Sequence, residues 1–365
     1  STRWIKNPSI VYKRASYFVS NRVLRSKSFT RFDIYPNFNW YSDNLVDYRC
    51  SHRINSFFID WLVLEKILVI AGPTASGKTD VSIKLAARFN GEIIGVDSRQ
   101  IYKSIPIGTA QPSKDQLKTI PHHLIAVKEL GDAISAGEYA KLVDEKIQLI
   151  LDKNKTAILC GGTGLYFKTL FEGIFLGSET NLDIRNRLEK EYDKNKEELY
   201  NKLQLIDPNY ALKVHINNKK RLVRALELYE LTGKSMTENF SLNNKKSNFY
   251  NNFFTIYLKM SRKTLHERIS KRTIFMVENG LVEEVKSVLD NNYNIEHLDY
   301  IGFDEIVFYL NNKISLDEAV EKIVIRTRQY AKRQLKWFDI QDFDLIINAD
   351  DINSNDIVDK VAQIY

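Results

Sequence analysis

The chain has 365 residues, of which 44% are hydrophobic and 27% are charged. This composition is ordinary for a globular protein, and the length allows about two domains. No run of about 18 uncharged apolar residues predicts a membrane span. The two cysteines, Cys50 and Cys160, are too few for a disulfide framework or a zinc site with four cysteine ligands, which favours a reducing compartment and a cytoplasmic location.

The net charge of +7 is concentrated in the N-terminal segment. The first 64 residues hold ten Lys and Arg against four Asp and Glu, whereas the other 301 residues have a net charge of only +1. Because no acidic residue precedes Asp33, residues 1–32 resemble a mitochondrial transit peptide in composition, which would give a mitochondrial location. Alternatively, residues 1–64 are not native, and translation starts at a non-AUG codon near residue 63. We predict residues 1–60 to be poorly ordered.

A phosphate-binding P-loop follows the first predicted strand. Residues 67–71 form the continuous apolar run of a buried parallel strand, and residues 80–89 have helical spacing. Between them, glycines permit tight backbone geometry, and the loop amides and the helix N-terminus attract phosphate oxygens. A lysine adds a point charge, and a threonine hydroxyl can ligate Mg²⁺. The predicted diphosphate or triphosphate site consists of Gly72, Pro73, Thr74, Ala75, Ser76, Gly77, Lys78 and Thr79.

Two further predicted strands end in polar residues. The strand at 93–97 ends on Asp97, and the strand at 156–160 runs into a Gly-Gly pair followed by Thr163. The carboxyl ends of parallel strands line the ligand crevice of an open sheet, so Asp97 is a candidate general base or metal-associated carboxylate. Alternatively, Asp97 caps a following helix and the glycine pair is a simple turn. Cys160 is most simply a buried core thiol.

The remaining segments complete an α/β architecture. With strands also predicted at 253–259 and 344–348, we expect a P-loop NTPase-like core with a central parallel sheet plus a helical insertion domain. The predicted parts are an extension at 1–64, the first part of the core at 65–176, the helical insertion at 177–251 and the second part of the core, with basic C-terminal helices, at 252–365. Within the insertion, residues 241–252 are dense in Asn, Lys and Ser and indicate a mobile loop or linker.

Two basic clusters lie within residues 65–365, whose net charge is close to zero. Charge runs are usually solvated faces, but clusters this concentrated indicate phosphate contacts with a nucleic acid. The first cluster contains Lys219, Lys220, Arg221 and Arg224. The second contains Arg326, Arg328, Lys332, Arg333 and Lys336.

Taken together, these motifs resemble the tRNA dimethylallyltransferase family, also called tRNA isopentenyltransferases, of bacterial type. Their order and spacing hold from about residue 66 to about residue 349. Three stretches depart from the family's usual sequence, at residues 104–106, 300–305 and 335–337, and the second lacks one basic side chain. The matching stretches are residues 72–79, 97–103, 107–112, 121–124, 161–166, 220–227, 265–269, 280–285 and 327–338.

The resemblance implies transfer of a dimethylallyl group from dimethylallyl diphosphate to N6 of an adenosine beside the tRNA anticodon. The P-loop and Mg²⁺ on Thr79 would then hold a leaving diphosphate. Asp97 would be the general base. Thr163 would take part in catalysis by hydrogen-bonding the diphosphate near its bridging oxygen. Arg268 and Arg272, four residues apart on a predicted helix, would close over the diphosphate, or are solvated surface arginines.

The implied macromolecular partner is the tRNA anticodon stem-loop, bound by a protein that we expect to be monomeric. The target base would be flipped out of the stack and its edge read by Ser98 and Gln100. The implied tRNA-binding residues are Asp97, Ser98, Arg99, Gln100, Thr163, Arg185, Lys220, Arg221, Arg224, Arg328 and Arg333. Three other functions remain open: a small-molecule P-loop kinase, an adenylate isopentenyltransferase acting on free nucleotides, and a non-catalytic RNA-binding ATPase.

Overall fold

The computed structural model describes residues 67–175, 181–242, 244–245, 247–293 and 300–365. All of them belong to a unit that spans residues 63–365. The predictions made for residues 1–64, including the transit peptide and the lack of order, lie outside the described residues.

The described residues form eight strands and fourteen α-helices. The strands are β1 Ile67–Ala71, β2 Gly91–Val96, β3 His122–His123, β4 Thr156–Gly161, β5 Ile174–Phe175, β6 Asn244–Lys245, β7 Phe253–Lys259 and β8 Leu345–Asn348. The helices that precede and form the insertion are α1 Lys78–Arg88, α2 Lys114–Thr119, α3 Ala136–Leu151, α4 Gly164–Glu172, α5 Leu182–Lys194, α6 Lys196–Ile206, α7 Pro208–Ala211, α8 Lys219–Thr232 and α9 Met236–Leu242. The helices that follow are α10 Arg262–Glu278, α11 Leu281–Asp290, α12 Phe303–Leu310, α13 Leu316–Phe338 and α14 Ser354–Ala362.

Six of the strands form one parallel sheet in the order β3-β2-β4-β1-β7-β8. This confirms the predicted α/β fold with a central parallel sheet, and the five predicted strands lie within one or two residues of the observed bounds. Strand β3 was not predicted, because two residues are too short to show a period. A separate antiparallel pair joins β5 and β6.

The sheet is buried on both faces, as its continuous apolar strands predict. Along β1, Ile67 and Val69 face the side covered by α3 and α4, whereas Leu68 and Ile70 face the side covered by α1, α10 and α13. All four side chains are fully buried. Because helices cover both faces, the carboxyl ends of the strands are left as the place where loops can build a site. Among the described helices, none is both long enough and apolar enough to cross a membrane.

Helices α5 to α8, which lie in the stretch predicted as a helical insertion, pack around an apolar cluster of their own. Helices α5 and α6 are separated at Asn195, whose side chain accepts a hydrogen bond from Glu198 N at 3.2 Å and caps the start of α6. The buried members of the cluster include Leu188, Leu199, Leu203, Leu222 and Leu226.

Residues 241–252, predicted as a mobile loop or linker, contain regular structure where they are described. Helix α9 reaches Leu242, β6 pairs with β5, and residues Tyr250–Asn252 form a 3-10 turn. The Ser247 hydroxyl donates to Asp144 Oδ1 at 2.5 Å, which ties this segment to α3.

Candidate active site

The P-loop joins the carboxyl end of β1 to the N-terminus of α1. Gly77 has a φ of 88°, in the left-handed region that favours glycine, and α1 begins at the next residue. A Cβ on Gly72 would lie 2.8 Å from the Leu258 carbonyl oxygen on neighbouring β7. Both glycines are therefore required by the backbone, and the helix N-terminus is aimed at the loop's concave side.

Lys78 curls back over the loop. Its Nζ donates to the Pro73 carbonyl at 2.6 Å and lies 3.5 Å from Ser76 Oγ. Burial lowers the pKa of Lys78 to about 8, although the nearby Cys160 and Asp97 side chains oppose part of this shift. An anion on the loop would favour the charged ammonium, so binding and protonation of Lys78 are linked.

This linkage predicts that the affinity for inorganic pyrophosphate falls as the pH rises through about 8, where unliganded Lys78 loses its proton. A bound anion raises the Lys78 pKa, so binding above pH 8 must take up a proton, and the affinity falls by up to about tenfold per pH unit. Isothermal titration between pH 7 and 9.5 measures the change. The Lys78→Arg variant stays charged and reports titration of the ligand alone. Parallel curves for the two proteins would contradict the prediction.

Asp97 and Thr163 lie at the ends of adjacent strands β2 and β4. Asp97 Oδ1 accepts hydrogen bonds from Arg99 N at 2.8 Å and from Gln100 N at 3.3 Å. This oxygen closes the turn at residues 98–101, and the helix-capping alternative is wrong because no helix begins there. Oδ2 accepts no hydrogen bond from the described residues. Thr163 Oγ1 accepts from Ser98 N at 3.0 Å, and a hydroxyl that accepts in this way can still donate one hydrogen bond.

Two arginines of α10 approach the P-loop, as the resemblance implies. Arg272 Nη2 donates to Thr74 Oγ1 at 2.8 Å, and Arg268 Nη1 lies 3.6 Å from where a Cβ on Gly77 would stand. Burial lowers the pKa of Arg272, and the negative charge of Asp97 opposes that shift. Since Asp97 also acts on Lys78, the structure brings two cations and one carboxylate together at the loop.

Helix α13 contributes a residue that the sequence did not single out. The Gln334 side chain is 6% exposed, accepts from Thr74 N at 2.8 Å and donates to the Gly162 carbonyl at 2.8 Å. The Thr74 amide is therefore not available to a phosphate. One turn earlier lies Tyr330, and burial raises the pKa of its hydroxyl. The negative charge of Asp97 raises this pKa further, whereas a hydrogen bond with the Thr163 side chain lowers it. Tyr330 and Gln334 are four residues apart, so they lie on one face of α13. This spacing was the signal in the sequence that could have found them together.

Gln100, expected to read the target base, is oriented by the loop that follows it. Its Nε2 donates to the Thr109 and Ala110 carbonyls at 3.2 and 2.8 Å, which leaves Oε1 as the group that can read a ligand. The same loop is held by Glu284 of α11, whose carboxylate accepts from Ile107 N at 2.7 Å and Gly108 N at 2.9 Å.

The Tyr300 hydroxyl completes this contact by donating to Glu284 Oε1 at 2.6 Å. A Cβ on Gly108 would lie 1.8 Å from that hydroxyl. We therefore expect Gly108→Ala to lower the free energy of unfolding by about 1–3 kcal/mol in urea denaturation, because overpacking displaces the ring. Gly131→Ala is the matched control, since nothing lies within 4 Å of its Cβ position. Equal stability of the two variants would be the contradictory result.

Arg99 lies half-buried in the turn after β2, and the other predicted tRNA-binding cations fall into two groups. Lys220, Arg221 and Arg333 are exposed on α8 and α13. Arg185 and Arg224 instead pair with the fully buried Glu227, through contacts of 2.8 and 2.9 Å.

Arg328 is likewise engaged within the protein, because its Nη2 donates to Ser270 Oγ at 3.0 Å. The structure thus gives Arg328, Arg185 and Arg224 partners within the protein. Their role toward tRNA stays a prediction.

Three comparisons relate the chain to known proteins. A sequence model described as IPP transferase matches residues 100–341, a range that begins after the P-loop. The tRNA dimethylallyltransferase of Petrotoga mobilis is 40% identical over 304 residues, covering 83% of this chain and 100% of the relative.

Solved structures agree with these sequence matches. The full-length tRNA isopentenylpyrophosphate transferase from Bacillus halodurans is 34% identical, with a TM-score of 0.58 over 82% of this chain and 95% of that one. A eukaryotic dimethylallyltransferase acting on tRNA is 31% identical, with a TM-score of 0.70 over 82% of this chain and 78% of that one. The resemblance drawn from the motifs is confirmed: the chain belongs to the IPP transferase family, to which the tRNA dimethylallyltransferases belong.

Proposed function

We propose that this protein transfers a dimethylallyl group from dimethylallyl diphosphate to N6 of an adenosine next to the tRNA anticodon. The observation that carries the proposal is the convergence of Lys78, Arg272 and Asp97 at the P-loop, beside the Thr163 hydroxyl. Cations at a phosphate cradle beside a carboxylate suit a reaction in which a diphosphate leaves as a proton is removed. Every one of these groups comes from one chain, so we propose that a monomer is sufficient.

The cradle binds the leaving group. In the proposed step, the bond between the allylic carbon and the diphosphate oxygen breaks, and its electron pair leaves with the diphosphate. Charge develops on that oxygen, where the P-loop amides, Lys78 and Arg272 stabilise it in a partly dehydrated site. The Thr163 hydroxyl, held by Ser98 N, donates its proton in a hydrogen bond near the bridging oxygen.

Asp97 serves the other half of the reaction. The N6 lone pair forms the new bond to the allylic carbon, and the N6 proton passes to Asp97 Oδ2. Because Oδ1 is engaged by Arg99 N and Gln100 N, the carboxylate is fixed in orientation with one oxygen directed to the reaction. Gln100 Oε1 supports recognition of the flipped adenine as an acceptor.

The site suits a single magnesium ion brought by the diphosphate. Among the described residues there is no group of three His, Cys, Asp or Glu that could hold a metal alone. Mg²⁺ commonly takes few protein ligands, with substrate phosphates and water completing its shell. The Thr79 hydroxyl, next to Lys78 at the start of α1, would be the protein ligand. When bound, the ion would neutralise charge on the diphosphate.

The exposed members of the two basic clusters fit the backbone of an anticodon stem-loop. Lys220 and Arg221 would contact phosphates from the insertion, and Arg333 from α13. We propose that Arg185 and Arg224 act through Glu227, which fixes where α5 and α8 present their surface. Action on tRNA agrees with a location in the cytoplasm, or in mitochondria if residues 1–32 form a transit peptide.

Comparing acceptors tests the proposal against its rivals. The protein is incubated with Mg²⁺, dimethylallyl diphosphate and either unmodified tRNA or AMP, and the nucleosides are analysed by mass spectrometry. We expect N6-dimethylallyladenosine in the tRNA digest and none from AMP. Product from AMP alone would identify an adenylate isopentenyltransferase. Phosphoryl transfer from ATP to a small molecule, without product on tRNA, would identify a kinase.

A further inference from the structure

Gln334 joins two loops that lie far apart in the sequence. Its Oε1 accepts from Thr74 N in the P-loop, 260 residues away, and its Nε2 donates to the Gly162 carbonyl, 172 residues away. Both bonds are 2.8 Å long. A backbone amide can only donate and a carbonyl can only accept, so the two partners determine the orientation of the Gln334 amide.

No other side chain of this size supplies both groups. Glutamate would present an oxygen to the Gly162 carbonyl, and an apolar residue would leave a buried amide and a buried carbonyl unpaired. The fit is also close, because a Cβ on Gly162 would stand 2.6 Å from Gln334 Nε2. The bridge therefore depends on the glutamine and on the glycine opposite it.

The bridge fixes the P-loop relative to the catalytic hydroxyl. Gly162 immediately precedes Thr163, whose Oγ1 is held by Ser98 N at 3.0 Å. At the other end, Thr74 is held a second time, by Arg272 Nη2 at 2.8 Å. Helices α10 and α13 thus both hold the same P-loop residue, and the Gln334 side chain connects that residue to the end of β4, next to Thr163.

We propose that Gln334 is a positioning residue, which sets the distance between the diphosphate cradle and the Thr163 and Asp97 side chains. This inference rests on the proposed function. Displacement of reacting groups by about 1 Å can cost about a hundredfold in rate. Loss of the bridge therefore lowers kcat, while the exposed surfaces that would contact tRNA are unaltered.

The first test compares Gln334→Ala with Gln329→Ala, an exposed glutamine on the same helix. For Gln334→Ala we expect kcat to fall by about 10- to 100-fold with the KM for tRNA within about threefold of wild type. Hydrogen exchange at the Thr74 amide should accelerate, because its acceptor is gone. Gln329→Ala should match wild type in both. Unchanged kcat or unchanged Thr74 exchange in a folded Gln334→Ala protein overturns the proposal.

The second test uses Gln334→Glu, which keeps an acceptor for Thr74 N but loses the donor to Gly162. Its Thr74 amide should stay protected while its kcat falls at neutral pH. Burial raises the pKa of a carboxyl group, and a protonated carboxyl can donate to Gly162. The kcat of the variant relative to wild type should therefore rise by about tenfold as the pH falls from 8 to 5.5. A ratio independent of pH contradicts the bridge.

The Gln334 bridge and the proposed transfer to tRNA can be contradicted independently of each other. Amide exchange in the unliganded protein does not need turnover, so it tests the bridge even if no product forms. Absence of product on tRNA from the wild-type protein defeats the proposed function instead.

Discussion

Asp97→Asn is expected to lower kcat for dimethylallyl transfer by about 10²- to 10⁴-fold, the range that a general base contributes. Asparagine keeps a carbonyl oxygen at the Oδ1 position, so the hydrogen bonds from Arg99 N and Gln100 N can persist. The substitution therefore removes the proton acceptor without releasing the loop. Single-turnover kinetics with saturating tRNA and dimethylallyl diphosphate measures the chemical step.

Binding separates this role from a structural one. The affinities of Asp97→Asn for tRNA and pyrophosphate should stay within about threefold of wild type, since the altered oxygen acts in the transition state. Asp115→Asn, in an exposed pair with Lys118 on α2, is the matched control and should be fully active. If Asp97→Asn retained more than about one tenth of the wild-type rate, Asp97 would not be the general base.

Lys78→Met is expected to lower kcat/KM for dimethylallyl diphosphate by about 10²- to 10³-fold, the size found when one preorganised donor to developing charge is removed. Methionine keeps the length and apolar body of the chain, so the loss is that of the charge above the loop. Pyrophosphate affinity should fall in parallel. Steady-state kinetics and calorimetry measure the two effects.

Lys84 provides the matched control for this variant. It lies on the same helix, six residues after Lys78. Its Nζ is 3.2 Å from Asp80 Oδ2 and donates a hydrogen bond to Ser354 Oγ. Lys84→Met should retain kcat/KM within about twofold, because an exposed ion pair contributes little. A loss of activity equal to that of Lys78→Met would show that charge on α1 in general, rather than Lys78, matters.

The parts of the site that could be predicted from the sequence are those whose structure depends on residues close together in the chain. The P-loop could be located because strand, glycine-rich loop and helix follow one another within about twenty residues. Asp97 and Thr163 could be placed together because both end parallel strands, whose carboxyl ends share one edge. The spacing of Arg268 and Arg272 on one helix likewise required only local periodicity.

The parts that the sequence did not reveal depend on distant contacts. Gln334 is one polar residue in a basic helix, and its importance follows from two backbone groups that are distant in the sequence. Similarly, the sequence did not indicate that Arg185 and Arg224 pair with the buried Glu227. Such pairings are fixed by tertiary packing, which neither composition nor period encodes.

The stoichiometry of a single reaction tests most directly whether the P-loop holds a diphosphate that leaves. The protein is incubated with Mg²⁺, unmodified tRNA and dimethylallyl diphosphate labelled in the allyl group, and label on tRNA and free pyrophosphate are measured together. We predict one pyrophosphate released for each label transferred, with both lost in Asp97→Asn. Folded protein that leaves the tRNA unlabelled, or that releases pyrophosphate without labelling it, would contradict the proposed reaction.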